Sequence, residues 1–145
     1  MPGIFFYIGF YYLTVENGFT VIDIIIINYN CAGDLQNLLS VLAGEEKKVY
    51  SRRNVFQITV VDNHSSDGSV SMVESQFPNV HLIPRSNNDG YAAAVNEGIA
   101  STQQREILLM NSDVLITPEK VCSLIRIWER LDFPGILAPL HLEPD

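Results

Sequence analysis

Apolar runs of four to seven residues alternate along the chain with longer segments whose apolar residues have helical spacing. The first run, residues 21–27, ends in four consecutive isoleucines and contains one polar residue, Asp23. A continuous, β-branched apolar run of this length is typical of a strand buried on both faces. Further strands are predicted at residues 55–61, 80–83, 106–110 and 135–138. Helices are predicted at residues 33–43, 67–77, 90–101 and 118–131.

The alternation of strands and helices predicts the fold class. Strand–helix–strand units connect parallel strands by right-handed crossovers and place helices on both faces of a sheet. We therefore predict an α/β protein, a three-layer sandwich with a mostly parallel sheet. With 145 residues, 47% of them hydrophobic, the chain is long enough to bury the core of one domain, and we assign residues 21–145 to it.

The first 20 residues do not follow this pattern. Residues 4–15 are mostly apolar and rich in Phe and Tyr, but the run is shorter than the roughly 20 residues that a membrane-spanning helix needs. No Lys or Arg precedes it, so the charged region of a signal peptide is missing. We predict that residues 1–20 form an apolar leader outside the main fold. An extra strand or a partner-binding segment stays open, as does contact with a membrane.

Short polar side chains follow each of the first four predicted strands. In an open parallel sheet, ligands bind outside the carboxyl ends of the strands. Turn preferences explain part of the pattern, but not why one edge of the sheet takes nearly all of these residues. We therefore predict a ligand cleft at this edge. Its polar residues include Asn28 and Asn30 after the first strand, Asp62 after the second, Asn88 after the third, and Asn111 and Asp113 after the fourth.

Missing motifs narrow the choice of ligand. No GxGxxG follows the first strand and no GxxxxGK[ST] occurs anywhere, which excludes the usual dinucleotide-binding and P-loop sites. Asp62, at a strand end, can accept hydrogen bonds from a base or a ribose. Asp113, beside Asn111, can join diphosphate oxygens and waters in the set of hard ligands that Mg²⁺ or Mn²⁺ prefers. The alternative for Asp113 is a turn or helix-capping role.

Charge and cysteine content narrow the partners and the compartment. The net charge of −8, from 9 Lys and Arg against 17 Asp and Glu, argues against a nucleic-acid partner because phosphate backbones attract dense positive charge. The two cysteines, Cys31 and Cys122, lie far apart and outside any metal-binding spacing. We predict reduced thiols and a cytoplasmic location, with the inner face of the cell membrane as the alternative.

Four motifs in order carry a family resemblance. They read IIINYN at residues 25–30, VVDNHSSDGS at 60–69, NDGYAAAVNEG at 88–98 and LLMNSDV at 108–114. From about residue 21 to its end, the chain resembles family 2 glycosyltransferases with the GT-A fold, most closely their rhamnosyltransferase-like branch. The resemblance implies transfer of a sugar from a UDP- or dTDP-sugar, with dTDP-rhamnose among the candidates. The implied acceptor is a hydroxyl of a glycan or a lipid-linked acceptor in glycan or cell-surface polysaccharide synthesis.

The resemblance also implies roles for individual residues in binding the nucleotide sugar. Asp62 would contact the nucleobase. The base and ribose pocket would be lined by Asn28, Tyr29 and Asn30. The loop and helix that close over the nucleoside and sugar would contribute Asn88, Gly90 and Asn96. Gly90 also fits this role on physical grounds, because the backbone of a glycine can lie beside a ligand at the start of a helix where the Cβ of another residue would intrude.

By the same resemblance, Asp113 would hold Mg²⁺ or Mn²⁺ on the diphosphate. Asn111 stands where the fuller family motif has an Asp, and it offers an oxygen without a charge, so we expect modest metal affinity. The implied reaction inverts the sugar carbon: the metal stabilises charge on the leaving diphosphate, and a carboxylate base takes the proton of the acceptor.

The resemblance places the catalytic base beyond the metal motif, in an acceptor-binding half. Glu143 and Asp145 lie too near the end of the sequence to be assigned this role, so the base stays unknown and we expect a truncated chain. Apolar surface that a second half would cover predicts self-association. The main alternative is a non-catalytic fragment or subunit that binds nucleotide sugar.

Overall fold

The computed structural model describes residues 20–43, 54–131, 135, 136 and 138. The predicted α/β class is confirmed, and the first four strands and all four helices lie within two residues of their predicted ends. In chain order the elements are β1 (Thr20–Asn28), α1 (Ala32–Leu42), β2 (Asn54–Asp62), α2 (Ser69–Gln76), β3 (His81–Pro84), α3 (Tyr91–Ser101), β4 (Glu106–Asn111) and α4 (Pro118–Arg130).

The four strands form one parallel sheet in the order β3-β2-β1-β4. The strand register aligns their carboxyl ends. Asn28 pairs with Asp62 across β1 and β2, while Ile27 pairs with Asn111 across β1 and β4. Asp62 in turn pairs with Pro84 of β3. The loops that follow all four strands therefore leave the sheet at the same edge, as predicted.

Apolar side chains on both faces of the sheet build the core. On one face, Ile22, Ile24 and Ile26 pack with buried residues of α1, α2 and α4. On the other face, Ile25 and Ile27 pack with Ala94 of α3. These isoleucines are all 6% exposed or less, which confirms that the first strand is buried on both faces. The helices on the two sides give the predicted three layers.

Helix α3 lies directly against the sheet at a glycine. A Cβ on Gly98 would stand 2.7 Å from Cγ2 of Ile25 and 3.0 Å from Cγ2 of Val61. Both neighbours are β-branched side chains of central strands, and neither can move away without disturbing the sheet. Gly98 therefore fixes the distance between α3 and the sheet, and with it the place where α3 begins.

The carboxyl-terminal prediction was wrong. Gly135, Ile136 and Ala138 lie in no strand, and residue 137 lies outside the described residues. A short apolar run does not by itself specify a strand, and the described residues of this run are exposed rather than buried. The predicted leader also lies outside the described residues, except that Thr20 begins β1. Among the helices that the structure describes, none combines the length and the hydropathy needed to cross a bilayer.

Candidate functional site

All four strands end at one edge of the sheet, the carboxyl edge. Asn28 and Asp62 are the most deeply buried polar residues there. Asn28 Nδ2 donates a hydrogen bond to Asp62 Oδ1 at 2.8 Å and another to Ser65 Oγ at 3.2 Å. Asp62 Oδ2 accepts a bond from the Ser65 N–H at 2.8 Å. Asn28 is 0% exposed and Asp62 is 1% exposed. Each carboxylate oxygen of Asp62 thus has one described partner and a second lone pair, so the residue organises the turn and keeps acceptor capacity.

The turn after β1 is bound to the loop after β2. Asn30 adopts a left-handed conformation, with φ of 50°, which Asn tolerates better than most residues. Its N–H donates to Ser65 Oγ at 2.9 Å, and its Oδ1 accepts from the Ser66 N–H at 2.8 Å. Tyr29, between Asn28 and Asn30, is 50% exposed. The hydrogen bonds therefore fix a turn that presents half of an aromatic side chain to solvent.

Asp67 joins the beginnings of two helices behind this turn. Its Oδ2 accepts the Ala32 N–H of α1 at 2.8 Å, and its Oδ1 accepts the N–H of Ser69, the first residue of α2, at 3.0 Å. The Ser69 hydroxyl donates to the same Oδ1. Burial alone would raise the pKa of Asp67, but the hydrogen bonds from the Ser69 side chain and from the Ala32 and Ser69 amides together hold it below its ordinary value.

Arg85 connects β3 to the loop that precedes α3. Its guanidinium bonds Asn63 Oδ1 at 2.5 Å, Asp89 Oδ2 at 3.3 Å and Glu97 Oε2 at 2.7 Å. Asn63 Nδ2 donates to Asn88 Oδ1 at 2.8 Å. These bonds connect the end of β2, the loop and α3, and they leave Arg85 already paired with two carboxylates.

Gly90 precedes α3, Tyr91 is its first residue and Asn96 lies in its middle. Gly90 has φ of 95°, and a Cβ there would meet nothing within 4 Å, so its backbone conformation, rather than a lack of space within the protein, requires glycine. Its N–H donates to Asn88 Oδ1 at 3.0 Å. Partial burial, and secondarily the nearby Asp113 carboxylate, raise the pKa of the Tyr91 hydroxyl above its ordinary value. Asn96 is exposed on α3, and its side chain makes no hydrogen bond to another described residue.

The residues after β4 place a carboxylate beside α3. The Ser112 N–H donates to the Ile27 carbonyl at 3.1 Å, which holds this segment against β1. Asn111 Oδ1 is buried and accepts no hydrogen bond from any described residue. Asp113 is exposed. The Asp113 charge contributes to the raised pKa of the Tyr91 hydroxyl, so the end of β4 lies on the same side of the sheet edge as the beginning of α3.

The metal-ligating side chains after β4 fit a hard cation only if most of the other ligands of that cation come from elsewhere. Within the described ranges, no group of three or more His, Cys, Asp or Glu side chains could hold a metal ion. Asp113 and Asn111 supply at most three side-chain oxygens, two of them from the Asp113 carboxylate, with one negative charge. Mg²⁺ commonly keeps several waters and binds through one or two carboxylates and substrate phosphates, so this donor set fits a shared site.

The structure brings the predicted residues together unevenly. Asn28 and Asp62 are in direct contact, Asn30 joins them through Ser65, and Asn88 is linked to Gly90. Tyr29 lies exposed between Asn28 and Asn30, and Asn96 lies exposed on α3. The predicted site residues do not include four residues that connect the loops, or Tyr91, whose pKa the Asp113 charge affects. The four are Asn63, Ser65, Asp67 and Arg85. Four of these five lie inside the quoted motifs, beside predicted site residues, and Arg85 lies three residues before Asn88.

Comparison with known proteins gives a family for these motifs. Residues 23–140 match the family model described as glycosyl transferase family 2. A curated relative, the N-acetylglucosaminyl-diphospho-decaprenol L-rhamnosyltransferase of Mycobacterium tuberculosis, is 26% identical over 136 residues. The match covers 86% of this chain and 42% of the relative, so the chain spans less than half of that protein.

Solved structures show the same fold. Residues 1–349 of S. aureus TarS, in complex with UDP, match with a TM-score of 0.62 and 21% identity, over 77% of this chain and 32% of that chain. The mannosyltransferase PcManGT from Pyrobaculum calidifontis, in complex with GDP-Man and Mn²⁺, matches with a TM-score of 0.62 and 18% identity. That match covers 74% of this chain and 32% of the other. At these identities the similarity shows the fold alone.

Proposed function

Because the chain belongs to glycosyl transferase family 2, we propose that residues 21–145 bind the nucleoside diphosphate sugar that donates the sugar in a transfer reaction. The observation that carries the proposal is the group of polar residues at the carboxyl edge. Asn28 and Asp62, buried and hydrogen-bonded to each other, end β1 and β2, whose buried side chains are mostly apolar. A sheet edge built in this way is where ligands bind in open α/β folds.

Tyr29 and Asp62 are the proposed partners of the base. Half of the Tyr29 side chain is exposed, and an aromatic ring in that position offers a flat apolar surface to a pyrimidine. The remaining lone pairs of Asp62 could accept an N–H of the base, in a place where the carboxylate is already held by Asn28 and Ser65. Asn28 and Asn30 would then support the base and ribose pocket through the turn that they fix.

Asp113, with Asn111, is the proposed metal-binding element. A diphosphate needs positive charge beside it, and the Arg85 guanidinium at this edge is already engaged by Asp89 and Glu97. The exposed Asp113 carboxylate is free to bind Mg²⁺ or Mn²⁺ together with diphosphate oxygens and waters. When bound, the metal would neutralise charge that develops on the leaving diphosphate. Asn88, Gly90 and Asn96 would face the nucleoside and sugar from the other side.

The proposal also covers the identity of the sugar donor and of the molecule that accepts the sugar. We favour a UDP- or dTDP-sugar, with dTDP-rhamnose among the candidates, because a relative is named an L-rhamnosyltransferase and a structural neighbour was solved with UDP. The reaction would be inverting and would use a hydroxyl of a glycan or lipid-linked acceptor, with a base outside the residues assigned here. A cytoplasmic location, contact with the inner face of the membrane and self-association stay predictions.

A titration with nucleotides tests donor binding. UDP, dTDP and GDP are titrated calorimetrically into the protein with Mn²⁺ and again with a chelator. We expect saturable binding of at least one nucleotide, tighter with Mn²⁺. A chain that binds none of the three under either condition would contradict the proposal.

The alternative function is nucleotide-sugar binding without transfer, and a transfer assay separates the two. The protein is incubated with dTDP-rhamnose or UDP-sugars and a range of hydroxyl acceptors, and release of free nucleotide is measured against product formation. Sustained product formation supports a transferase. Saturable binding without product supports a binding fragment or subunit.

A further inference from the structure

Arg85 is the most highly connected side chain at the carboxyl edge, and none of the roles proposed above uses it. Its N–H donates to the Asp62 carbonyl at 2.9 Å, which continues the pairing of β3 with β2. Its side chain is 8% exposed, although it begins a loop. Each of the three guanidinium nitrogens bonds a different residue: Glu97, Asn63 and Asp89. A planar fork with fixed donor directions suits such a junction, and a lysine does not.

Arg85 determines which way the Asn63 amide faces. A guanidinium donates hydrogen bonds and accepts none, so the Asn63 atom at 2.5 Å from Nη1 must be the oxygen. The Asn63 nitrogen then faces the other way and donates to Asn88 Oδ1 at 2.8 Å. Asn63 is 4% exposed, so water does not compete freely for either bond.

Asn63 and the Gly90 N–H together determine which way the Asn88 amide faces. Asn88 Oδ1 accepts from Asn63 Nδ2 and from the Gly90 N–H at 3.0 Å, which occupies both of its lone pairs. The Asn88 nitrogen, with two hydrogens, donates to no described residue. Since Asn88 is exposed at the edge where the donor is proposed to bind, this nitrogen is the group that it presents to a ligand.

We propose that Arg85 is a positioning residue that sets the hydrogen-bond polarity of Asn88 through Asn63. The site then presents a hydrogen-bond donor, the Asn88 nitrogen. It would bond a hydrogen-bond acceptor of the nucleotide sugar: a phosphate oxygen, a sugar or ribose hydroxyl, or a base carbonyl. This inference rests on the proposed function, because the ligand is the donor nucleotide. Without Arg85, the Asn63 amide could turn over and place its oxygen against Asn88 Oδ1. Asn88 would then either lose the bond from Asn63 or turn over and lose the bond from the Gly90 N–H, and its nitrogen would no longer be held toward the ligand.

Asn63→Asp tests the polarity in the protein without nucleotide. An aspartate keeps the acceptor for Arg85, and so keeps the fold, but it cannot donate to Asn88. We expect hydrogen exchange of the Gly90 amide to rise by about tenfold or more, as expected when the free energy of opening falls by about 1.4 kcal/mol. The side-chain NH₂ signals of Asn88 in a ¹⁵N–¹H spectrum should also shift or broaden. Asn37→Asp, an exposed site on α1 with the same charge change, is the matched control and should change neither.

Nucleotide titration of the same variants tests the consequence. With Mn²⁺, Asn63→Asp and Arg85→Gln should weaken UDP binding by about tenfold or more, as expected for loss of one well-placed hydrogen bond. Asn37→Asp and Arg126→Gln, an exposed charge loss on α4, should bind as the unsubstituted protein does. Unsubstituted protein that binds UDP while Asn63→Asp matches Asn37→Asp in both measurements overturns the role of Arg85. Unsubstituted protein that binds no nucleotide overturns the proposed function, and with it the ligand of Asn88, whatever Gly90 does.

Discussion

Asn28 and Asp62 are hydrogen-bonded to each other at the ends of two neighbouring parallel strands, with Asn28 Nδ2 2.8 Å from Asp62 Oδ1. The register pairs the two residues directly, and both are almost fully buried. Buried polar groups are retained at low cost only when they are hydrogen-bonded. The Asn28 nitrogen and both Asp62 oxygens are hydrogen-bonded, whereas the Asn28 oxygen has no partner among the described residues. The carboxyl edge is therefore organised before any ligand arrives.

Asp62→Ala should destabilise the fold as well as weaken nucleotide binding. The substitution removes the described acceptor of the Ser65 N–H and one of two acceptors of Asn28 Nδ2. We expect the free energy of unfolding to fall by about 1–3 kcal/mol, the usual cost of leaving a buried donor unpaired. Urea denaturation measures it. Glu129→Ala, an exposed acidic residue on α4, is the control, and equal stability of the two variants would show that the Asn28–Asp62 pair contributes nothing.

Gly98→Ala should destabilise the protein because the new Cβ would meet Ile25 and Val61 at 2.7 and 3.0 Å. Overpacking of this kind typically costs about 1–3 kcal/mol. Gly33→Ala is the matched control: Gly33 lies in α1, and nothing lies within 4 Å of its Cβ position, so alanine there should be neutral or stabilise by up to about 1 kcal/mol. Thermal unfolding of both variants measures the difference. Equal melting temperatures would mean that α3 is not held against the sheet as described.

The lowered pKa of Asp67 leads us to expect a specific dependence of stability on pH. Its pKa is lower in the folded protein than its ordinary value, so the carboxylate stabilises the fold fully above the unfolded pKa of about 3.9. This contribution falls as the pH drops below that value and is lost once the pH passes the folded pKa. Asp67→Ala should therefore reduce stability near pH 7, and by less in acid; because Asp67 is exposed, we expect a loss at the low end of the about 0.5–2 kcal/mol of a lost helix cap.

Chemical denaturation of Asp67→Ala at pH 7 and near pH 3 checks this dependence. Glu74→Ala, an exposed carboxylate of α2 with no such bonds to helix amides among the described residues, should show little change at either pH. If the difference between Asp67→Ala and the unsubstituted protein were as large near pH 3 as at pH 7, the ionised carboxylate would not be the stabilising group.

The sequence predicts the strands and the shared sheet edge correctly because a local pattern determines each of them. The isoleucine run predicted a strand buried on both faces, and the position of Asn28 and Asp62 at strand ends predicted that they share an edge. The hydrogen bond between them depends on strand register, which neither strand reveals alone. The connections made by Arg85 depend on a loop conformation and on Glu97 one helix away, so no spacing rule would have found them. The prediction at residues 135–138 failed because a short apolar run does not specify a strand.

The proposed donor site depends most on Asp113 as the residue that brings a divalent metal to the diphosphate. Calorimetric titration of UDP with Mn²⁺ and with a chelator, on the unsubstituted protein, Asp113→Asn and the distant control Glu129→Gln, tests it directly. We expect Mn²⁺ to tighten binding by about tenfold or more, equivalent to about 1.4 kcal/mol, in the unsubstituted protein and the control, and to have little effect in Asp113→Asn. The same Mn²⁺ enhancement in Asp113→Asn would contradict the account and leave Asp113 as a turn residue.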